Sequence, residues 1–278
     1  VLEKIMYINH LNEKVCFGED GVYANENDLR DFSWNVGSRN NKIATFKKGL
    51  VKKSLQYMIA CRSRDEGTRI KNRIFEIMEK DILTKTPGKM IIGDYYLQCF
   101  VSESRKSEYL INEGYMIVDL TIQTDNPEWI RETTTSFSIT SVATVSDAVQ
   151  YLDYEYDYPH DYASGVSSRE IINSGIAEAA FRMIFYGPCT NPTIYISGHK
   201  YAVNVDVAEG EYLTVDSTGK TIILTRYDGE KVNCYGSKDR DWYIFKRIPT
   251  GPNEIIIAND SLNFDITLLE ERSEPAWI

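Results

Sequence analysis

Between residues 181 and 269 the chain passes through eight short apolar runs, at 181–186, 193–196, 201–207, 212–215, 221–227, 242–245, 254–257 and 264–269. Turn residues separate them at close, fairly regular spacing: Gly187 and Pro188, Gly198, Gly210, Gly219, Asp228 with Gly229, Gly236, then Gly251 and Pro252. Runs this short fill strands rather than helices, and many short strands with turn signals fold as an antiparallel β-sandwich. The second half is therefore expected to be a sandwich, and no solenoid or propeller repeat is visible in it.

The first half has a different pattern. Ile5, Tyr7, Val15 and Phe17 flank a polar turn at Asn12 and Glu13, which predicts a hairpin ended by Gly18 and followed by a loop rich in Asn and Asp. Residues 32–36 and 50–61 alternate as strands; in the second, Val51, Leu55, Tyr57, Ile59 and Cys61 share one face while Lys52, Ser54 and Gln56 point the other way. From 65 to 83 the period changes: Ile70, Ile74, Ile77 and Met78 fall at helical spacing, with Asp65 and Glu66 in the first turn, where the helix dipole favours acids. Pro87 and Gly88 break the chain. Two apolar runs, 89–92 and 95–101, then meet at Gly93-Asp94, a two-residue hairpin turn that starts with Gly. In 115–124, Met116, Val118, Leu120 and Ile122 alternate with a mostly polar face, and Pro127 ends that strand. The chain is thus expected to be mainly β, with an α+β first domain of one helix packed on a sheet or barrel.

At 278 residues, two domains of ordinary size are expected. The segment 133–150 is rich in Ser, Thr, Val and Ala, and 151–162 interleaves Tyr with acids, which places the boundary near residue 145 and divides the chain into 1–145 and 146–278. The net charge of -10 supports a change of domain, because residues 1–140 hold 20 basic and 20 acidic groups whereas 141–278 hold 11 and 21. An acidic second half does not grip nucleic acid, which needs clustered Lys and Arg. The opening residues show no basic stretch followed by an apolar one, and no apolar run has the length of a membrane span, so neither secretion nor membrane insertion is expected. Five cysteines, Cys16, Cys61, Cys99, Cys189 and Cys234, form no Cys-x-x-Cys pair and read as buried thiols. The abundance of Tyr, 19 residues, suits strands and subunit interfaces.

Motifs of catalysis are incomplete. Ser197 lacks the first Gly of a nucleophile elbow and reads as a hairpin turn. Gly219-Lys220-Thr221 mimics the end of a phosphate loop, yet Thr214 stands where the first Gly belongs and a strand follows. His10, His160 and His199 are scattered, without zinc spacing. The acids Asp153, Glu155, Asp157 and Asp161 lack the pattern of a calcium loop. Asp239 and Asp241 flank Arg240 beside Trp242, but neighbours on a strand face opposite sides, so they do not form the carboxylate pair of a glycoside hydrolase. No catalytic residue, metal or cofactor is expected. Lys42, Lys47, Lys48, Lys52 and Lys53 form the one dense basic cluster, suited either to an acidic partner surface or nucleic acid, or to an exposed strand edge kept soluble by lysine.

Taken in order, these segments resemble the distal tail proteins of phages with long non-contractile tails. In the first domain the resemblance rests on Phe17 and Gly18, the Trp34 strand, the 65–83 helix, Thr86-Pro87-Gly88-Lys89, Ile92-Gly93-Asp94-Tyr95-Tyr96-Leu97 and Thr124-Asp125-Asn126-Pro127-Glu128-Trp129-Ile130. The second is similar to the family's galectin-like module through Tyr156-Asp157-Tyr158-Pro159-His160-Asp161-Tyr162, Tyr186-Gly187-Pro188, Asn191-Pro192, Gly198-His199-Lys200-Tyr201, Gly210-Glu211-Tyr212 and the ending from Phe264 to Pro275.

The resemblance implies a virion tail-tip protein, assembled in the bacterial host cytoplasm. Its first domains would build a hexameric ring on the tail tube, with a channel through which DNA passes without specific binding. Its galectin-like sandwiches would project toward a tail-associated fibre or lysin protein and other tip proteins, a receptor-binding protein being one candidate. Lys47, Lys48, Lys52 and Lys53 are the expected ring or partner contacts. The alternative is a carbohydrate-binding adhesion module that docks host cell-wall polysaccharide through Tyr235 and Trp242. The galectin set of His, Asn, Arg, Trp and Glu is not recognisable in its usual order.

Overall fold

A computed structural model of the chain describes residues 4–61, 63–110, 115–138, 170–258 and 262–277. It is mainly β and divides into two compact units, one made of Val1–Arg131 with Glu271–Ile278, the other of Glu132–Glu270. The chain therefore passes between units twice, and its last residues belong to the first. The expected boundary at residue 145, and the acidic run 153–161, lie outside the described residues.

In the first unit, β1 (Ile5–Ile8), β2 (Lys14–Glu19), β3 (Val22–Asn27), β4 (Asn35–Arg39), β5 (Lys42–Lys47) and β6 (Val51–Ala60) precede the helix α1 (Arg64–Thr84); β7 (Gly88–Ile92), β8 (Tyr95–Leu110), β9 (Tyr115–Thr124) and β10 (Trp129–Phe137) follow it. The pairings run β8-β7-β1-β2-β3-β6-β9, and β9 returns to β8, closing the circuit. Closure works because β8 is long: Tyr95–Cys99 face β7, while the stretch from Phe100 onward faces β9. Alternation fills the interior, with Met116, Val118, Leu120 and Ile122 of β9 buried together with Leu55, Tyr57 and Ile59 of β6. The Gly93-Asp94 hairpin is as expected, Gly93 taking the positive φ of 58° that the turn needs.

Helix α1 starts where Ser63 Oγ accepts the Glu66 N–H at 3.2 Å, and ends on Lys85 in the left-handed region at φ 54°. Ile74, Ile77 and Met78 enter the core, and the helix packs on β2 and β8. Three expectations fail in this unit. The strand expected at 32–36 begins only at Asn35, the segment after Gly18 pairs as β3 instead of looping out, and the inward face of β6 includes Lys53.

The second unit holds β11 (Glu170–Asn173), β12 (Ala180–Tyr186), β13 (Cys189–Thr190), β14 (Thr193–Ile196), β15 (His199–Ala202), β16 (Asp206–Val207), β17 (Tyr212–Asp216), β18 (Thr221–Thr225), β19 (Lys231–Asn233), β20 (Gly251–Ile257) and β21 (Asn263–Arg272). One antiparallel sheet runs β19-β18-β17-β12-β21, with β10 beside β21; the other runs β11-β20-β14-β15. Phe181, Met183, Phe264, Ile266, Leu213 and Ile222 from the first sheet meet Ile171, Ile194, Ile196, Tyr201 and Ile255 from the second in a single core, which makes this unit a β-sandwich. Ser197 and Gly198, at φ 47° and 76°, form the β14–β15 turn expected there. Residues 242–245 are a correction: they form turns, not a strand, and Ile244 and Phe245 turn inward while Trp242 and Tyr243 stay outside.

Candidate interaction surfaces

The four lysines of the first surface separate into two kinds. Lys53 is 6% exposed; its ammonium donates to the carbonyl oxygens of Asp28 and Asp31, and burial holds its pKa below the ordinary lysine value. Lys48 is also engaged within the unit. Its Nζ lies 2.7 Å from Glu128 Oε2, 2.7 Å from Ser273 Oγ and 4.4 Å from the centre of the Trp34 ring. Lys47 and Lys52 point to solvent. The cluster thus combines two lysines that fasten the base of a hairpin with two that are available to a partner.

That hairpin is β4–β5. Among the described residues it pairs only with itself, and nearly all its residues are exposed. Directly opposed residues share a face, so Val36 lies with Phe46 and Ser38 with Ile43; the register shift between Gly37 and Ser38 therefore brings Ile43 onto the face of Phe46 despite their odd spacing. Trp34 meets Phe46 edge to face, 6.3 Å between ring centres, and extends the same apolar surface. Ile43 is 64% exposed and Phe46 58%. A two-stranded ribbon alone is marginal in water, and an uncovered run of aromatic and branched side chains marks a site of contact.

On the second unit, Tyr235 and Trp242 belong to one aromatic row. Tyr235 stacks on Phe245 at 6.0 Å, Tyr243 meets Phe245 edge-on at 5.9 Å, and Trp242 meets His199 edge-on at 5.1 Å. His199 Nε2 lies 2.9 Å from the Tyr243 carbonyl oxygen, which can only accept, so this nitrogen carries the hydrogen. Lys238 sits 3.5 Å from the Tyr235 ring centre, and its hydrogen bond holds the phenol below its usual pKa. Beside the row, Lys200 donates to Asp239 at 2.7 Å, which raises the lysine pKa and lowers that of the carboxyl. The Asp239–Asp241 pair of the sequence thus resolves into one acid committed to Lys200 and a backbone turn in which the Asp241 N–H donates to Asp239. Phe245, which joins Tyr235 to Tyr243, carries no motif that singles it out in the sequence, and His199 stands there only within Gly198-His199-Lys200-Tyr201.

Among the described residues no group of three His, Cys, Asp or Glu is placed to hold a metal ion, and no helix is long and apolar enough to cross a membrane. Two depressions on the first unit, along Asp65 to Glu76 and between Asn12 and Lys80, are lined mainly by charged and polar residues, with the buried Ile77 in the second.

No family model and no curated protein matches the chain. Solved structures do. A chain of the phage P2 baseplate in its activated conformation with Ca superposes with a TM-score of 0.61 at 12% identity, over 99% of this chain and 100% of that one. The SPP1 Dit protein, a paradigm of hub adsorption apparatus in phages infecting Gram-positive bacteria, gives 0.60 at 12% identity over 98% and 100%. A chain of the phage p2 baseplate with Sr gives 0.58 at 14% identity over 96% and 98%. The chain has the fold of these phage baseplate and hub proteins from end to end.

Proposed function

We propose that this chain is a structural distal tail protein of a phage or prophage, without enzymatic activity. In this reading its first unit builds a ring, hexameric as the resemblance implies, that sits on the tail tube around the channel for DNA. Its second unit faces the fibre, lysin or receptor-binding proteins of the tail tip, and the whole is assembled in the host cytoplasm. The observation that carries this reading is the agreement of both units, in one chain and in the same order, with baseplate and hub proteins that it covers end to end. Fold alone leaves function open, and one surface adds to it: the first unit carries an uncovered apolar ribbon.

Absolute mass by light scattering after size exclusion, at low and moderate salt, tests the ring. Six subunits, or a concentration-dependent approach to six, is expected; a strict monomer at high concentration overturns it.

A second reading is favoured by the aromatic row. Tyr235, Trp242 and Tyr243 are all exposed, as rings that stack on sugars must be. Titration with host cell-wall polysaccharide, followed by tryptophan fluorescence, separates the two: a saturable change lost in Trp242→Ala supports a glycan site, and a flat titration removes it.

A further inference from the structure

The first unit leaves a second apolar surface uncovered, and its chemistry differs from that of the hairpin. Phe75 and Leu83 of α1 are 61% and 74% exposed, and Ile82 is exposed beside them. Positions 75, 79, 82 and 83 lie within about two turns on one side of the helix, flanking the side that buries Ile74, Ile77 and Met78. The apolar arc of this helix is thus wider than its own core covers.

The charges of the two surfaces are complementary. Residues 35–50, which include the hairpin, contain Arg39, Lys42, Lys47 and Lys48 and no carboxylate. Among the described residues, only Lys48 of these is tied to a carboxylate, that of Glu128. On α1, Glu79 stands between Phe75 and Ile82, and Glu76 adjoins Phe75. Of the cations near this face, Lys80 pairs with Glu13 at 2.7 Å and Lys71 has a partner of its own, while Lys85 lies exposed beyond Leu83. A basic apolar ribbon and an acidic apolar helix face, both on one chain and both uncovered in it, form the two halves of a contact between copies. Because the halves differ, the contact is head-to-tail, the kind that closes into a ring when the rotation allows.

We infer that the β4–β5 hairpin of one copy docks, through Val36, Ile43 and Phe46, on the Phe75–Leu83 face of α1 in a second copy. This rests on the ring reading above and specifies the surfaces that make it.

The test uses two variants of the full chain. Ile43→Glu disables the hairpin and Phe75→Glu the helix face; both positions are exposed, so thermal melts like that of the parent are expected. Each variant alone should scatter as a monomer. Mixed in equal amounts, each still owns the half that the other lacks, so a species of two subunits and nothing larger should form. If the parent assembles and either variant assembles as well, the assignment of surfaces is wrong while the ring stands. If the mixture stays monomeric, the two faces do not meet and the assignment is likewise overturned. If the parent itself remains a monomer at the highest attainable concentration, the ring reading and this contact fall together.

Discussion

The Tyr7 hydroxyl donates a 2.5 Å hydrogen bond to Asp81 Oδ2, joining β1 to the last turns of α1. Asp81 is fully buried, and its other oxygen takes the backbone N–H of His10 at 3.0 Å and lies 2.5 Å from His10 Nδ1. Gly88 closes the site, since a Cβ there would collide with both the Tyr7 hydroxyl and the Asp81 carboxyl.

Removing the shared acceptor strands several donors at once, so Asp81→Ala should cost about 3 kcal/mol, against about 1.5 kcal/mol for Tyr7→Phe, which leaves the His10 contacts in place. Urea unfolding midpoints of the two variants check this. Equal, small losses would mean that the network contributes little.

Lys52 and Lys53 are neighbours with opposite fates. Lys53 faces inward and satisfies two carbonyl oxygens, whereas Lys52 is exposed. Replacing each by Met keeps the length of the side chain, so the difference isolates the ammonium. Lys53→Met should destabilise by about 1–2 kcal/mol by removing the donor to the Asp31 carbonyl and one of the two donors to that of Asp28, which keeps the Asp31 N–H, while Lys52→Met should stay within about 0.5 kcal/mol of the parent. Guanidinium denaturation of both variants decides it; indistinguishable midpoints would remove the buried role of Lys53.

The contrast between these two lysines shows what the sequence carries and what it hides. Strict alternation from Leu55 through Ile59 places residue 53 on the inner face, but the polarity of lysine conceals an inward position whose partners, Asp28 and Asp31, come from a distant loop. Helix α1 and the Gly93-Asp94 hairpin were legible because each is specified locally, by Ile70, Ile74, Ile77 and Met78 in one case and by a single positive φ in the other. Trp242–Phe245 misled, because an apolar run of four is compatible with turns that leave its first two side chains outside and bury its last two. Tyr235 and Trp242 stand out in the sequence as aromatic residues suited to sugars, yet the contacts that unite them run through Phe245, Tyr243 and His199, which only the tertiary fold brings together. The hairpin surface was half legible: its lysines stand out in the sequence, whereas the shift that aligns Ile43 with Phe46 appears only in the pairing register.

The return of the C-terminal residues to the first unit has a thermodynamic consequence. Arg30 donates to the Pro275 carbonyl at 2.6 Å and lies 3.9 Å from the Trp277 ring centre, and Ser273 accepts from Lys48. A chain ending at Arg272 loses all three contacts, and about 2 kcal/mol of stability in the first unit is expected to go with them. Calorimetry should show the transition of the first unit moving down while that of the sandwich stays in place. A shift confined to the sandwich would contradict the assignment of this segment.

Alkaline pH should unfold the chain through groups that its interior keeps neutral. Burial pushes the Cys99 thiol from 9.0 up to about 12, offset in part by a backbone hydrogen bond at Met90. Burial likewise raises the phenols of Tyr7, Tyr57 and Tyr201 above their ordinary value of 10.0. Below about pH 9 folded and unfolded chains both hold the Cys99 proton, and its contribution does not vary. From there to about pH 12 only the unfolded chain has released it, so the unfolded state binds fewer protons and stability falls as pH rises. The loss from this one thiol is about 1.4 kcal/mol per pH unit, and the three tyrosines steepen it above pH 10. Cys16 and Cys189, whose thiols burial shifts the same way, add a smaller slope of their own. Urea midpoints at pH 8, 9 and 10 should therefore decline with an increasing slope. Cys99→Val, close in size and unable to titrate, should flatten the step from 9 to 10 by about the amount assigned to one thiol; an unchanged slope in that variant would place the alkaline sensitivity elsewhere.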